Sequence, residues 1–94
     1  LPLETSITAS ILEYLNNRVT GCVAEKVMGN SFQFGRPDIN GCWNGRCLRI
    51  EVKQPGQNPT KKQQLNLAKW EKAGAICLVA RSLNDVKKVI NNGT

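Results

Sequence analysis

The sequence predicts an α/β domain in which a mixed β-sheet is flanked by helices, in the order α-β-β-β-α-β-α. Three observations predict it. Helical and strand periodicities alternate along the chain. Asn44-Gly45 is the strongest two-residue hairpin signal and sets two strands antiparallel. One helix-length crossover separates strand segments 46–53 and 75–80, which makes those two parallel and adjacent or nearly so. The 94 residues suit one domain, 1–94, with no repeat or linker dividing it.

Each element has a local reason. Residues 2–19 read as a helix because Pro2 suits a first helical position and Ile7, Ile11 and Leu15 recur every four residues. Asn16, Asn17 and Gly21 end it. Residues 22–28 read as a strand and 29–35 as a loop of turn formers with two phenylalanines. Segment 37–43 is a short strand and 46–53 its return. Pro55, Gly56 and Pro59 force a loop over 54–59. Thr60 caps a helix that runs to Ala73, with Gly74 as its stop. Residues 75–80 form a buried strand, and Ser82 caps a last amphipathic helix over 83–90.

Composition excludes several function classes. There is no histidine, which removes Ser-His-Asp and Cys-His catalysis, histidine general bases and His-ligated zinc. Hydrolysis, if any, must come from a metal-activated water, carboxylates, lysines or a cysteine. The longest strongly apolar run, 75–80, is far too short to cross a bilayer, which takes ~20 residues. The opening Leu1-Pro2-Leu3-Glu4 lacks the basic region and apolar core of a signal peptide. Cys22, Cys42, Cys47 and Cys77 form no C-x-x-C and sit in apolar or strand-like surroundings, where cysteine behaves as a small hydrophobe; an intracellular, reduced protein is expected, with a secreted disulfide scaffold or an all-cysteine zinc site as the alternatives.

Charge is lopsided. Residues 1–45 carry three basic and four acidic side chains, and residues 46–94 carry ten basic and three acidic, so −1 and +7 make the total of +6. A basic half on a small domain suits either a soluble cationic surface or a polyanionic partner.

The return strand carries the chemistry. Along Arg46-Cys47-Leu48-Arg49-Ile50-Glu51-Val52-Lys53, Leu48, Ile50 and Val52 share one face, and Arg49, Glu51 and Lys53 the other. Taken alone, that is an amphipathic edge strand with a solvated polar face. Asp38 changes the reading, because the hairpin folds its strand back beside Glu51. Counting from the turn leaves the register open here. With Asp38 opposite the Glu51 region, two carboxylates and an ammonium gather on one patch, a setting for Mg²⁺ or Mn²⁺ that can acidify a water. Lys53 would steady that water and the charge on phosphate.

Gly35-Arg36-Pro37-Asp38, then Ile50-Glu51-Val52-Lys53, then Gln63 opening a helix, resembles the PD-(D/E)XK nuclease superfamily and more closely its virus-type replication-repair nuclease (VRR-NUC) branch. The first-helix glutamate and the Gly74-Ala75 strand start extend the likeness over roughly residues 4 to 86. The resemblance implies a restriction-endonuclease-like core and a metal-dependent endonuclease hydrolysing DNA phosphodiesters. It implies that Asp38, Glu51 and the main-chain carbonyl of Val52 bind Mg²⁺ or Mn²⁺, and that Lys53 serves the nucleophile and transition state. Stand-alone members act as homodimers on branched DNA, including four-way (Holliday) junctions, a DNA repair activity. An intracellular location follows, the cytoplasm of a bacterial host if the source is viral. A non-catalytic nucleic-acid-binding module, or an accessory domain of a larger replication or repair protein, stays open beside this reading.

Periodicity chooses between candidates. Glu4 lies on the helix face of Ile7 and Ile11, whereas Glu13 lies half a turn away, so Glu4 is the expected supporting carboxylate, in contact with the metal or indirectly; the alternative is a residue that only complements the helix dipole. On the second helix Gln63 shares a side with Leu67 and Trp70, facing the core and the site, while Gln64 lies with Glu71 on the flank. Gln63 also completes a capping box with Thr60, and both roles can hold. Lys61, Lys62, Lys69 and Lys72 fall within an arc of about 100°, a solvated face or a track for DNA phosphates. Leu65 interrupts that arc. Arg36 and Lys26 are candidates for phosphate contacts nearer the metal. Trp43 and Trp70 read as core rather than base-stacking platforms.

Overall fold

The computed structural model describes residues 2–28 and 36–92. Its elements follow the predicted order: α1 (Glu4–Asn17), β1 (Cys22–Lys26), β2 (Ile39–Trp43), β3 (Arg46–Val52), α2 (Lys61–Lys72), β4 (Ile76–Ala80) and α3 (Leu83–Asn91). The strands form one sheet in the order β1-β2-β3-β4. The first two junctions are antiparallel, and β3 and β4 are parallel neighbours joined through α2. The loop expected at 29–35 lies outside the described residues.

The hairpin turn sets the register of everything downstream. Asn44 and Gly45 take φ of 50° and 85°, the pair of left-handed residues that a type I′ turn requires. A two-residue turn makes its flanking residues partners, here Trp43 and Arg46, and the ladder continues to Ile39 opposite Ile50. Antiparallel pairs alternate between hydrogen-bonded and non-hydrogen-bonded, and the latter hold their side chains closer together. Counted from the turn, Cys42↔Cys47 and Asn40↔Arg49 are the close pairs. One step further in the same series, Asp38 falls opposite Glu51.

The sheet's two faces are dressed differently. Ile39, Leu48, Ile50, Val52, Ile76 and Ala80 meet Ile7, Ile11 and Leu15 of α1 and Val86 of α3 in the main core. α2 covers the other face over β3 and β4, burying Leu67, and leaves β1 and β2 bare on that side. β3 is therefore an interior strand, not the solvated edge that its alternation suggests in isolation. Glu51, on the α2 side, is only 2% exposed.

Several boundaries shift for identifiable reasons. α1 is capped by Leu3 without a side-chain bond, so Pro2 precedes the helix instead of opening it. β1 stops at Lys26 and β2 starts at Ile39, although Val27 still donates to the Asp38 carbonyl at 2.8 Å. The cysteines divide: Cys22 is buried and Cys77 half-buried, whereas Cys42 and Cys47 are exposed at the hairpin end of the sheet. The expectation of four apolar settings fails for that pair, because α2 does not reach over the β2–β3 turn.

Asn16 does more than end α1. Its amide donates to the Ala24 carbonyl and accepts from the Ala24 N–H, both at 2.9 Å, closing the outer edge of β1. An Asn16→Ala variant opens both bonds, and the expected loss is about 1–2 kcal/mol, read as a lower midpoint in urea unfolding at unchanged m-value.

Candidate active site

The acidic pair sits where the β2–β3 ladder ends. Pro37, next in line after Asp38, has no N–H to donate, so the ladder cannot continue past Asp38. The Asp38 side chain takes over: its Oδ2 accepts from the Val52 N–H at 2.7 Å. In a strand the N–H and C=O of one residue point to the same side. The Val52 carbonyl is thus aimed toward β2, at a position where Pro37 offers no donor.

Glu51 is held from two directions. Gln63 Nε2 donates to its Oε2 at 3.1 Å, and Lys53 Nζ lies 3.9 Å from the same oxygen, with the Lys53 side chain only 15% exposed. The orientation of Gln63 is itself set by the start of α2. The Thr60 N–H donates to Gln63 Oε1 at 2.8 Å, and the Gln63 N–H donates to Thr60 Oγ1 at 3.1 Å, a complete capping box. With its oxygen committed to the cap, the amide can present only its NH₂ to Glu51. One glutamine serves both purposes. A glutamate would cap equally well but would set a third carboxylate against the pair.

The electrostatics are those of a charge held out of water. Burial first, then the Asp38 carboxyl by hydrogen bonding and by charge, push Glu51 up to about 9; Lys53 pulls the other way and Glu4 adds a small upward push. Glu51 Oε1 is buried with no hydrogen-bond partner among the described residues. Asp38 supplies a donor only when the two carboxyls share a proton. A shared proton or a bound cation would satisfy that oxygen.

The donor set fits a hard divalent cation. Two carboxylates, one with an unpartnered buried oxygen, and a main-chain carbonyl lacking a ladder donor are oxygen ligands only. Among the described residues no three His, Cys, Asp or Glu side chains cluster, so further ligands would be water, the habit of Mg²⁺.

The other predicted residues take varied positions. Glu4 is the first residue of α1 and is exposed rather than buried with Ile7 and Ile11, yet its charge still reaches Glu51. Gln54 donates to the Pro2 carbonyl at 3.2 Å, which holds that helix end near the exit of β3. Glu13 forms a surface ion pair with Arg18. Gln64 turns away to the Pro59 carbonyl. Lys61, Lys62, Lys69 and Lys72 are all exposed on α2, on the side away from Glu51, and Leu65 among them is 60% exposed. Lys26 lies level with Ile39 at the site end of the sheet, with alternation placing it on the α1 side; Arg36 is exposed beside Pro37. Trp43 packs against the core, and Trp70 lies under the Arg49 guanidinium, 4.0 Å from its carbon to the ring centre.

Sequence reasoning passed over Asn40 and gave Arg49 no role beyond sharing a face with Glu51 and Lys53. Asn40 and Arg49 form the close pair next to Asp38 and Glu51 and line, with Val23, Glu25 and Cys42, a shallow depression of about 400 Å³ on the bare half of the sheet. Counting the register out from the two-residue turn finds them. A second cleft, about 340 Å³ between α2 and the free edge of β4, includes neither acid.

No protein-family model matches the sequence, and no curated protein is similar to it. Solved structures are similar. A VRR_NUC domain superposes with a TM-score of 0.79 over 97% of both chains at 22% identity. A VRR_NUC domain protein superposes with a TM-score of 0.76 at 20% identity, over 96% of this chain and 86% of its own. From first helix to last, the chain has the restriction-endonuclease-like fold of the VRR_NUC domains.

Proposed function

We propose that this domain is a divalent-cation-dependent endonuclease that hydrolyses DNA phosphodiester bonds. The observation that carries the reading is the buried Glu51 carboxyl, one oxygen without a donor, set against Asp38 and flanked by Lys53. Asp38, Glu51 and the Val52 carbonyl would hold Mg²⁺ or Mn²⁺. Such an ion, when bound, makes a water acidic enough to attack at neutral pH and offsets charge on the phosphate. Lys53 contributes an ammunition of a different kind, a fixed ammonium beside the acid that can hold a water or meet a phosphate oxygen. Gln63 keeps Glu51 in its rotamer, and Glu4 adds negative potential at the helix end.

The substrate reading is DNA, branched and engaged by a homodimer, with four-way junctions as the leading case. Its support is the basic balance of the second half and the exposed lysines of α2. Three arginines are already engaged: Arg46 with the Gly74 carbonyl, Arg49 with Trp70, and Arg81 with the Gln57 carbonyl and Asn58. Phosphate contacts are therefore assigned to the lysines of α2, with Arg36 and Lys26 nearer the acidic pair. Each of Lys61, Lys62, Lys69 and Lys72 that meets a phosphate should, on change to alanine, lower the slope of log K against log salt by ~0.9. Filter binding at several salt concentrations measures it.

The test of the whole reading is a Mg²⁺ titration on four-way, flap and linear duplex substrates, with EDTA and Lys53→Ala controls, and sedimentation to establish the oligomer. Metal-dependent cleavage lost in the variant supports an enzyme. Binding without cleavage under every condition leaves a nucleic-acid-binding module instead.

A further inference from the structure

Outside the acidic site, the sheet carries a second matched pair of side chains. Cys42 and Cys47 are direct partners across β2 and β3, both exposed, both with free thiols. They are the first close pair after the turn, where opposed Cα atoms lie ~4.5 Å apart. Disulfides accept Cα separations of ~4.4–6.8 Å. The Asn44-Gly45 turn holds the two strands together, so the thiols meet at a high effective concentration without any rearrangement of the fold.

We propose that Cys42 and Cys47 are a redox modification site, a dithiol that small disulfide oxidants of the glutathione class convert to a cross-strand disulfide. In the first step one thiolate attacks the oxidant, forming a mixed disulfide and releasing one equivalent of thiol. The second thiolate then attacks the protein sulfur of that bond and releases the other equivalent. Two thiols of the protein are oxidised, one oxidant disulfide is reduced to two thiols, and both protons leave with the products.

The remaining cysteines do not compete. Cys22 is buried and Cys77 half-buried, and burial is the main cause that pushes both thiols up. The bond is also easily reversed. Opposed Cβ atoms in a sheet lie ~4.5–5.5 Å apart, slightly wider than the ~3.5–4.5 Å of a relaxed disulfide. Exposed disulfides under such strain are the readily reduced ones.

The experiment treats the intact chain with oxidised glutathione, blocks free thiols and digests with trypsin, which cuts after Arg46 between the two cysteines. The expected product is peptide 27–46 joined to 47–49, from a chain lighter by about 2 Da and unchanged in sedimentation. Reduced glutathione should restore both thiols. Cys42→Ser and Cys47→Ser, each checked for an unchanged melting temperature, should stop at the mixed disulfide. Free thiols at both positions after treatment, glutathione retained on either in the unaltered chain, or disulfides only between chains would each overturn the proposal.

Discussion

Changing Lys53 to alanine is expected to slow Mg²⁺-dependent DNA cleavage by about 10²–10³-fold while leaving DNA affinity within a few-fold. The separation follows from placement. Lys53 is one of 13 basic residues, and its ammonium is mostly buried, 3.9 Å from Glu51, so it adds little to the general attraction of a polyanion. What it supplies is a positive charge at one point beside the acidic pair, where water is scarce and its field is least screened. Single-turnover cleavage and filter binding on the same junction measure the two quantities. Equal losses in both would make Lys53 a phosphate contact like any other.

Replacing Glu51 with glutamine should abolish the pH response of the metal-free domain. The Glu51 carboxyl, at about 9 when folded against an ordinary value near 4.5, binds its proton more tightly in the native state. The unfolded chain holds fewer protons between those values, so stability is highest at low pH and falls as pH rises through that window. With no histidine in the chain, no other side chain has its ordinary midpoint between about 5.5 and 7, and the slope there belongs to the acidic pair. Glu51→Gln removes the slope and should raise the melting temperature near pH 8 by several degrees, since ~1 kcal/mol is worth ~4–8 °C in a domain of this size. The same variant should lose divalent-cation binding. In the unaltered chain, cation affinity should rise about tenfold per pH unit up to about 9, because the cation must displace the proton. Melting curves with and without EDTA across pH 5–9 check all three. A flat profile in the unaltered chain would sink the assignment of Glu51 as a buried acid.

The fold was largely legible because its strongest signals are local. The four-residue recurrence of Ile7, Ile11 and Leu15, the caps at Thr60 and Ser82, and the Asn-Gly turn each act within a few residues, and each stands where expected. Strand lengths were less legible, because a strand ends where its neighbour stops pairing, and that is a property of the sheet. The register was more legible than the reading from the turn allowed. A two-residue loop permits only Trp43 opposite Arg46, and simple counting from there brings Asp38 to Glu51 and Asn40 to Arg49. Burial was not legible. Nothing in the alternation of β3 says that α2 will fold over its polar side, so Glu51 looked solvated until the crossover helix was placed. The exposure of Glu4 was not legible for a related reason: a helical wheel gives a side chain's direction but not whether the helix end is covered. Asn16 and Arg81 act on backbone groups distant in sequence and leave no periodic trace.

The fork at Gln63 makes the beginning of a helix and the seating of an acid one mechanical unit. A helix that frays by a single turn there releases the amide and, with it, the rotamer of Glu51. Assembly of the acidic pocket is thus tied to the nucleation of α2, and a substitution at Gln63 perturbs both at once.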